Sequence, residues 1–385
     1  MTAPDKTAAG KGLQNIVIGQ SQLSLVNGTE GKLIYRGYKI EDLAEHASFE
    51  EVVYLLWNGE LPTQAQLDDL TKSLQAAAEV PAEVIKAMHL YPKDAHPMAV
   101  LRTSVSMLSL FDPKADDNSP EQNKRKALEL TARTPILTAA WERVRQGKEP
   151  ITPRKDLSIA ANFLYTMHGK EATKNETDVI DAYLVLLSEH GMNASTFSAR
   201  VTTSTLSDMY SAITTALGTL KGAAHGGANE EAMRMFFEIG DPDKAESWFD
   251  ENVKTGKRRV MGMGHRVYKA LDPRAAVLKK KAQIMAEATN NLKWFTLASR
   301  LETYARQDED FIKKNLYANV DYYSAIALYT LGVPMDQFTP LFGIARIPGW
   351  TAHIFEQWGD NRLIRPDVDY VGPLDKTWTP IEKRS

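Results

Sequence analysis

The chain has 385 residues, of which 43% are apolar and 25% are charged, values that are ordinary for a globular protein. A net charge of -3 argues against general nucleic-acid binding, and the absence of cysteine excludes disulfides, thiolate metal sites and a cysteine nucleophile. A chain of this length is too long for one compact core, so we expect a large domain and a smaller one.

The apolar segments indicate a protein that neither crosses a membrane nor carries an export signal. The longest strongly apolar run, Ala182 to Leu187, is far too short to span a bilayer. Lys6 and Lys11 near the N-terminus are not followed by an apolar stretch, so no signal peptide is predicted. We therefore expect a cytoplasmic protein.

Strand-like alternation of apolar and polar residues is confined to the region near the N-terminus. It occurs in residues 22–26 and again in residues 32–35, with the turn signal Asn27-Gly28 between them. The pattern predicts at most a small N-terminal β-hairpin.

Helix signals dominate from residue 40 onward. Ser48 and Glu51 predict a capping box, after which apolar residues recur at helical spacing until Gly59. Loops are predicted over residues 112–119 and 146–155, which are rich in polar residues and turn formers. Three more helices are predicted: after Thr63, after Ser119-Pro120, and over residues 207–220. The sequence therefore predicts an all-α fold.

Three segments do not resemble ordinary helix faces. In the first, His225 lies in a glycine-rich break between two predicted helices, where the backbone can approach a ligand closely. In the second, His265 lies beside glycines in a strongly basic setting, and in the third, Asp321 lies at the start of an apolar helix. The segments span residues 221–229, 258–274 and 319–324.

Each of these signals, taken singly, also fits a structural role. His225 could be a histidine at a helix end, Asp321 could be a helix cap, and the basic residues at 254–259 are also typical of a solvated surface. A metal site at His190, His225 and His265 is not predicted, because no pair has the close spacing of ligands on one helix or loop.

In combination, the three segments resemble the citrate synthase family. The motifs are His-Gly-Gly-Ala-Asn at 225–229, Gly-His-Arg-Val-Tyr-Lys at 264–269, followed by Asp-Pro-Arg, and Asn-Val-Asp-Tyr-Tyr-Ser at 319–324. Further matches begin at His190 and at Gly343. The resemblance runs from about Tyr35-Arg36-Gly37-Tyr38 to Arg365-Pro366 and so covers most of the chain. Gly191 stands where many members have Glu, and Asp367 where the family often has Arg.

The resemblance implies an acyltransferase that joins the methyl carbon of acetyl-CoA to oxaloacetate and hydrolyses citryl-CoA to citrate and CoA. Such a reaction requires a positioned carboxylate base and a hydrogen-bond donor at the oxygen where charge develops. The resemblance implies that Asp321 is the base and that His225 donates a hydrogen bond to the thioester oxygen. It implies that His265 polarises the oxo group of oxaloacetate. A helix N-terminus beside His225 would favour its neutral imidazole.

The resemblance also implies which residues bind the substrates. Arginine suits the two carboxylates of oxaloacetate because its planar fork can form two hydrogen bonds to each. The implied oxaloacetate residues are His190, Arg274, Arg346 and Arg365, the last reaching in from a partner subunit. The expected CoA contacts are Lys269 by resemblance, the backbone around Gly262 and Gly264, and Lys257 and Arg259 on charge and proximity alone.

The family fold implied by the resemblance has a large helical domain, residues 1–225 and 331–385, and a small helical domain, residues 226–330. The catalytic residues lie around the cleft between them. We expect a homodimer or higher homo-oligomer that acts in the tricarboxylic acid cycle. Acetyl-CoA is the expected cosubstrate, with no permanently bound cofactor or metal and with neither nucleic acid nor membrane as a partner.

Two alternatives stay open. The first is a 2-methylcitrate synthase that uses propionyl-CoA, because one methylene gives only about 1–3 kcal/mol of discrimination. The second is a catalytically silent helical scaffold that interacts with other proteins. The presence of His225, His265, Asp321 and the arginines argues against the scaffold.

Overall fold

The structure is a computed structural model that describes residues 11–13, 16–265 and 267–384. Within these ranges the chain forms seventeen α-helices and one small antiparallel sheet. The helices before His225 are α1 (Ile40–His46), α2 (Phe49–Asn58), α3 (Gln64–Ala77), α4 (Ala82–Met88), α5 (Pro97–Leu108), α6 (Pro120–Arg145), α7 (Ile159–His168), α8 (Lys174–Leu187), α9 (Ala194–Ser204) and α10 (Met209–Leu220). Those after it are α11 (Ala228–Ile239), α12 (Ala245–Asn252), α13 (Pro273–Ala288), α14 (Lys293–Ala305), α15 (Glu309–Lys313), α16 (Val320–Thr330) and α17 (Phe338–Gly359). The predicted all-α fold is confirmed.

The sheet contains the predicted hairpin and one additional strand. Strands β1 (Ser24–Asn27) and β2 (Lys32–Tyr35) pair antiparallel, and β3 (Tyr38–Lys39) pairs with β2. Sequence analysis did not predict β3, because two residues are too few to show an alternating pattern. Leu33 and Tyr35 of β2 are buried, so the hairpin packs onto the helical core through this strand.

The first helices begin at the predicted capping signals. The Ser48 hydroxyl accepts a hydrogen bond from the backbone N–H of Glu51, whose carboxylate accepts one from the Ser48 N–H. Gly59 ends α2 in the left-handed conformation, with φ of 94°. Thr63 and Gln66 form a second capping box at α3. These predictions are confirmed. They could be made from the sequence because each interaction joins residues only three positions apart.

Two other helix predictions hold, the first without a shift and the second with a small one. Helix α6 begins at Pro120, a position where the missing N–H loses no helical hydrogen bond. Helix α10 begins at Met209 instead of residue 207, because the Asp208 side chain caps it by accepting from the Ser211 N–H. The predicted loops at 112–119 and 146–155 contain no α-helix or strand.

Helices α8 and α17 form the centre of the core. All of α17 from residue 338 to residue 354 is buried, including Arg346 and His353. The apolar run at 182–187 is the buried C-terminal half of α8. Helix α17 packs against α2, α6, α8, α9 and α10, while α16 packs against α11, α13 and α14. Since polar side chains on buried helices are costly, those on α17 call for a functional explanation.

Helices α2 and α8 bring two acidic side chains together in the interior. Asp181 accepts a hydrogen bond from the Phe49 N–H at 3.1 Å, and Glu50 accepts one from the Ile159 N–H at 2.8 Å. Burial, with the nearby Glu50, raises the pKa of Asp181 to about 7. The folded protein thus holds this proton more tightly than the unfolded chain does. The stability that this contributes is present at acid pH and is lost as the pH rises from 4 towards 7.

We expect Asp181→Asn to raise the free energy of unfolding at pH 8 by about 1–2 kcal/mol, because the amide keeps an acceptor for Phe49 without a buried charge. The gain should shrink at pH 5, where the native Asp181 is protonated. Urea unfolding at both pH values measures it. Asp178→Asn, on the same helix but in an exposed ion pair with Lys174, is the control and should change little. A less stable Asp181 variant at pH 8 would contradict the assignment.

Candidate active site

The fold brings His190 and His265 side by side. Their ring centroids lie 5.6 Å apart in an edge-to-face arrangement, and the ring of Tyr268 lies beside both. The Tyr268 hydroxyl is 3.2 Å from His190 Nε2. His190 follows the C-terminal end of α8, whereas His265 precedes α13, so two distant parts of the chain meet here.

His265 has a defined tautomer. The backbone N–H groups of Val267 and Tyr268 both donate to His265 Nδ1, each at 3.1 Å. Burial and the nearby Arg274 guanidinium lower the pKa of His265 to about 4, so the ring is neutral at physiological pH. A neutral ring whose Nδ1 accepts must carry its proton on Nε2. His265 therefore presents an Nε2–H donor.

Two buried arginines lie close to these histidines. Arg274 is 2% exposed and is held by Asp272 through two hydrogen bonds, Nε to Oδ1 at 3.0 Å and Nη2 to Oδ2 at 2.8 Å. Arg346 is 1% exposed, and its Nε donates to the Leu187 carbonyl at 2.5 Å. Burial and both guanidinium groups hold the pKa of His190 well below its usual range. The site thus places two buried guanidinium groups, one of them paired with Asp272, beside neutral histidines.

Arg346 differs from Arg274 in its counter-charge. Burial lowers the pKa of Arg346, and it forms no ion pair with a carboxylate of the described residues. Its guanidinium lies 4.9 Å from the ring centroid of Phe342. The buried Glu189 carboxylate acts on Arg346 electrostatically without pairing with it directly. A desolvated guanidinium with unused donors is well suited to a bound anion, because a ligand carboxylate would accept those donors.

His225 lies in the break between α10 and α11, as the sequence predicts. Its Nε2 is 2.9 Å from the Ser195 Oγ, and the Trp350 indole N–H donates to the same oxygen at 3.3 Å. Burial, together with Arg346, lowers the pKa of His225 to about 4. The imidazole is therefore neutral, as expected, with burial as the main cause.

Ser195 determines which nitrogen of His225 offers a proton. In this structure the Ser195 hydroxyl donates to Asn193 Oδ1 at 2.7 Å, and the same oxygen caps α9 by accepting from the N–H groups of Ser195 and Thr196. When the Ser195 proton points to His225 Nε2, the ring carries its own proton on Nδ1 and can donate it to a ligand. When it points to Asn193, His225 donates from Nε2 to Ser195 instead.

Asp321 lies in the first turn of α16. The cap of this helix is Asn319, whose Oδ1 accepts from the Asp321 N–H at 2.8 Å, so the alternative that Asp321 is the cap is wrong. The half-buried Asp321 has its pKa raised to about 6 by burial, against the opposing effect of Arg274. A carboxylate with a pKa close to neutrality is suited to general-base catalysis.

Backbone contacts fix the loop of His265 against the start of α16. The Gly264 N–H donates to the Tyr317 carbonyl at 2.7 Å, and the Asn319 N–H donates to the Gly262 carbonyl at 2.9 Å. Gly262 and Gly264 have φ of 77° and 86°, and a Cβ at Gly262 would lie 2.8 Å from the Cα of Tyr322. These positions require glycine. The loops that carry His265 and Asp321 are therefore held together.

The predicted CoA residues are spread over neighbouring surfaces. Lys257 and Arg259 line a surface cleft of about 420 Å³ that also includes Trp248. Lys269 is exposed beside the His265 loop. The Gly264 N–H already donates to Tyr317, so it has no capacity left for a phosphate in this structure. Gly264 therefore acts here by allowing close packing.

Arg365 is not brought to the site within one chain. Its side chain is 79% exposed in the irregular segment after α17, and its Nη1 lies 3.9 Å from an Asp367 carboxylate oxygen. None of its described contacts reaches the other candidate residues.

Four polar residues of the site were not singled out from the sequence. Asn193 and Ser195 lie in the motif that begins at His190, and Tyr268 and Asp272 lie in the segment that follows His265. Membership of those motifs was the only available signal. The described residues contain no group of three or more side chains arranged to hold a metal, and none of their helices is long and apolar enough to cross a membrane.

Comparisons with known proteins identify the family. The model for citrate synthase, C-terminal domain, matches residues 12–367. Citrate synthase 2 of Bacillus subtilis is 45% identical over 378 residues, which cover 98% of this chain and 100% of that protein. 2-Methylcitrate synthase 2 of Corynebacterium glutamicum is 41% identical over 389 residues and 100% of both chains. A solved structure of Thermoplasma acidophilum citrate synthase with carboxymethyl coenzyme A and oxaloacetate has a TM-score of 0.91 at 36% identity, covering 97% of this chain and 99% of that one. The chain belongs to the citrate synthase family and is an enzyme of the acyl-transferring type.

Proposed function

We propose that the protein condenses acetyl-CoA with oxaloacetate and hydrolyses citryl-CoA to citrate and CoA. The observation that carries this proposal is a carboxylate of raised pKa at Asp321 together with neutral imidazoles at His225 and His265. A base that is ionised near neutral pH can remove a proton from carbon, while neutral imidazoles can donate hydrogen bonds to developing oxyanions.

Oxaloacetate binds where His190, Arg274 and Arg346 meet. The two buried guanidinium groups are proposed to bind its carboxylates together with Arg365 of the partner subunit. The Arg346 donors that the described residues leave unused favour this placement. His265 then directs its Nε2–H to the oxo oxygen and polarises the carbon for attack. The relative from Thermoplasma acidophilum was solved with oxaloacetate, which supports the same ligand here.

The reaction begins when Asp321 takes a proton from the methyl carbon of acetyl-CoA. The electron pair moves to the thioester oxygen, which accepts a hydrogen bond from His225 Nδ1. For this the Ser195 hydroxyl turns from Asn193 Oδ1 and donates to His225 Nε2, 2.9 Å away. The enol carbon attacks the oxo carbon, and His265 gives its Nε2 proton to the resulting alkoxide. The two N–H donors at His265 Nδ1 stabilise the electron density left on the ring. The proton that Asp321 took up then returns to His265, which restores both groups, and water hydrolyses the thioester and releases CoA.

The pH dependence should report Asp321. With a pKa of about 6 for the free base, kcat/KM is expected to fall tenfold per pH unit below pH 6, because the protonated carboxyl cannot accept the methyl proton. His225 and His265, with pKa values of about 4, should stay neutral and cause no loss between pH 5 and 8. Initial rates over this range measure the profile. A kcat/KM that is constant down to pH 5 contradicts the proposed base.

The division into domains is part of the same proposal. We infer that residues 226–330 form the small domain and that residues 1–225 and 331–385 form the large one. The packing of α11, α13 and α14 against α16 supports this division, as does the placement of α17 among the earlier helices. Closure of the cleft between the domains would exclude water from the reacting groups.

CoA is held by basic side chains on the small domain. The proposed phosphate contacts are Lys257, Arg259 and Lys269, whose side chains are exposed. The first two line the surface cleft beside Trp248, and Lys269 lies beside the His265 loop. Acetyl-CoA is a cosubstrate, and no permanently bound cofactor is needed for acid–base chemistry on a thioester.

A homodimer is the proposed assembly. The segment after α17 exposes large apolar side chains, among them Val368, Val371 and Trp378. The side chain of Val371 is 96% exposed. Exposed apolar side chains concentrated in one segment favour burial against a partner. A second copy would also accommodate Arg365, which lies in this segment and reaches no site residue of its own chain.

One assay tests the function. Thiol release is measured with oxaloacetate and either acetyl-CoA or propionyl-CoA, and the protein has no cysteine to contribute background. We expect oxaloacetate-dependent release with a higher kcat/KM for acetyl-CoA. A higher value for propionyl-CoA would favour the 2-methylcitrate synthase reaction, which the Corynebacterium relative makes the second candidate. No release with either thioester would favour a silent scaffold.

A further inference from the structure

We propose that the β1–β2 hairpin positions His190 and His265 relative to each other. The proposal rests on the proposed function, because these two histidines are the residues expected to orient oxaloacetate. The hairpin contains none of the catalytic candidates, yet it contacts the chain on both sides of His190 and immediately after His265.

On the His190 side, the contacts are hydrogen bonds. The Ser24 hydroxyl donates to a Glu189 carboxylate oxygen at 2.9 Å and accepts from the Gly191 N–H at 3.1 Å. The Tyr35 hydroxyl donates to the Glu189 carbonyl at 2.7 Å and accepts from the Glu189 N–H at 3.1 Å. The residues before and after His190 are therefore both bound to the hairpin.

On the His265 side, the contacts are between backbones. The Lys269 N–H donates to the Gly28 carbonyl at 2.8 Å. A Cβ at Gly28 would lie only 2.1 Å from the Val267 carbonyl oxygen, and one at Gly31 would lie 2.6 Å from the Leu271 carbonyl oxygen. The hairpin turn thus lies directly against residues 267–271, with no space for a side chain at either glycine.

The same stretch fixes the His265 ring. The N–H groups of Val267 and Tyr268 hold His265 Nδ1, and the Tyr268 hydroxyl contacts His190 Nε2. A displacement of residues 267–269 would therefore move the His265 ring and also its contact with His190. Because the paired strands β1 and β2 form one element, they set the 5.6 Å separation of the two rings. Errors of 1 Å in such geometry can cost about 10²-fold in rate.

Gly28→Ala tests this contact directly. Gly28 does not have a positive φ, so alanine would be strained only by its contact with Val267, whose carbonyl oxygen and Cγ1 would lie 2.1 and 2.9 Å from the new Cβ. We expect oxaloacetate binding, measured by calorimetry without acetyl-CoA, to weaken about tenfold and kcat to fall by about 10–100-fold. The matched control is Gly59→Ala. Its φ of 94° makes alanine costly for stability, but the added Cβ meets nothing within 4 Å.

A second variant acts from the other side of the hairpin. Ser24→Ala removes the hydroxyl that joins Glu189 to Gly191, so it should also weaken oxaloacetate binding. This variant tests the proposal independently if Gly28→Ala does not fold. Reduced affinity in either variant, with wild-type affinity in Gly59→Ala, supports positioning by the hairpin. If both variants lose only thermal stability and keep wild-type affinity and kcat, the proposal is overturned while the function stands. If the wild-type protein shows no oxaloacetate-dependent turnover, the proposed function and this inference fail together.

Discussion

Asp321→Ala is expected to lower turnover by about 10²–10⁴-fold while leaving oxaloacetate affinity nearly unchanged. The carboxylate is needed to remove the methyl proton of acetyl-CoA, whereas the groups proposed to bind oxaloacetate are His190, Arg274, Arg346 and Arg365 of the partner subunit. A selective loss in kcat, measured in steady-state assays beside calorimetric oxaloacetate binding, would therefore identify the base.

The variant should fold normally, which makes its activity interpretable. The cap of α16 is Asn319, so alanine at position 321 keeps the helix start, and it removes a carboxylate whose pKa is raised by burial. Asp310→Ala is the matched control. Asp310 is likewise the second residue of its helix, and its N–H is capped by Asp308 at 3.0 Å, but its side chain is exposed and pairs with Lys314. Near-normal turnover in folded Asp321→Ala would rule out the base assignment.

Local signals in the sequence predicted local structure well. The capping boxes at Ser48 and Thr63 involve residues only three positions apart, and both are present in the structure. The position of Asp321 in the first turn of an apolar helix was also predictable. Its role was not, because an acidic residue at a helix start fits both a cap and a base. The structure excludes the cap, since Asn319 occupies that position.

Contacts between distant segments account for what the sequence did not predict. Ser195 lies in a recognisable motif, but its hydrogen bond to His225 depends on how α9 packs beside the break before α11. The contact of Gly28 with Lys269 likewise depends on the docking of the hairpin onto another part of the fold. Neither has a period or spacing that a linear pattern could reveal. The Asn27-Gly28 turn was predicted for its geometry, and its place against the site came only from the structure.

The second large loss of activity is expected when Arg365 is replaced. Arg365→Ala is expected to reduce the activity of a homodimer by about 10²-fold or more, because a carboxylate of oxaloacetate would lose a bidentate partner. In one chain the Arg365 side chain is 79% exposed and does not reach the site, so a role in binding requires a second subunit. Arg362→Ala, three residues earlier in the same exposed segment, is the control and should retain activity.

A mixed dimer distinguishes the two possible origins of this arginine. When Arg365 serves the partner, a hybrid of Asp321→Ala with Arg365→Ala contains one site with both wild-type groups and one site with neither. Coexpression with two affinity tags isolates the hybrid, which should recover about half of the wild-type activity because twofold symmetry gives two equivalent sites. When Arg365 serves its own chain, each site of the hybrid lacks one essential group. A stable, purified hybrid without recovered activity would therefore place Arg365 in its own chain or remove it from the site.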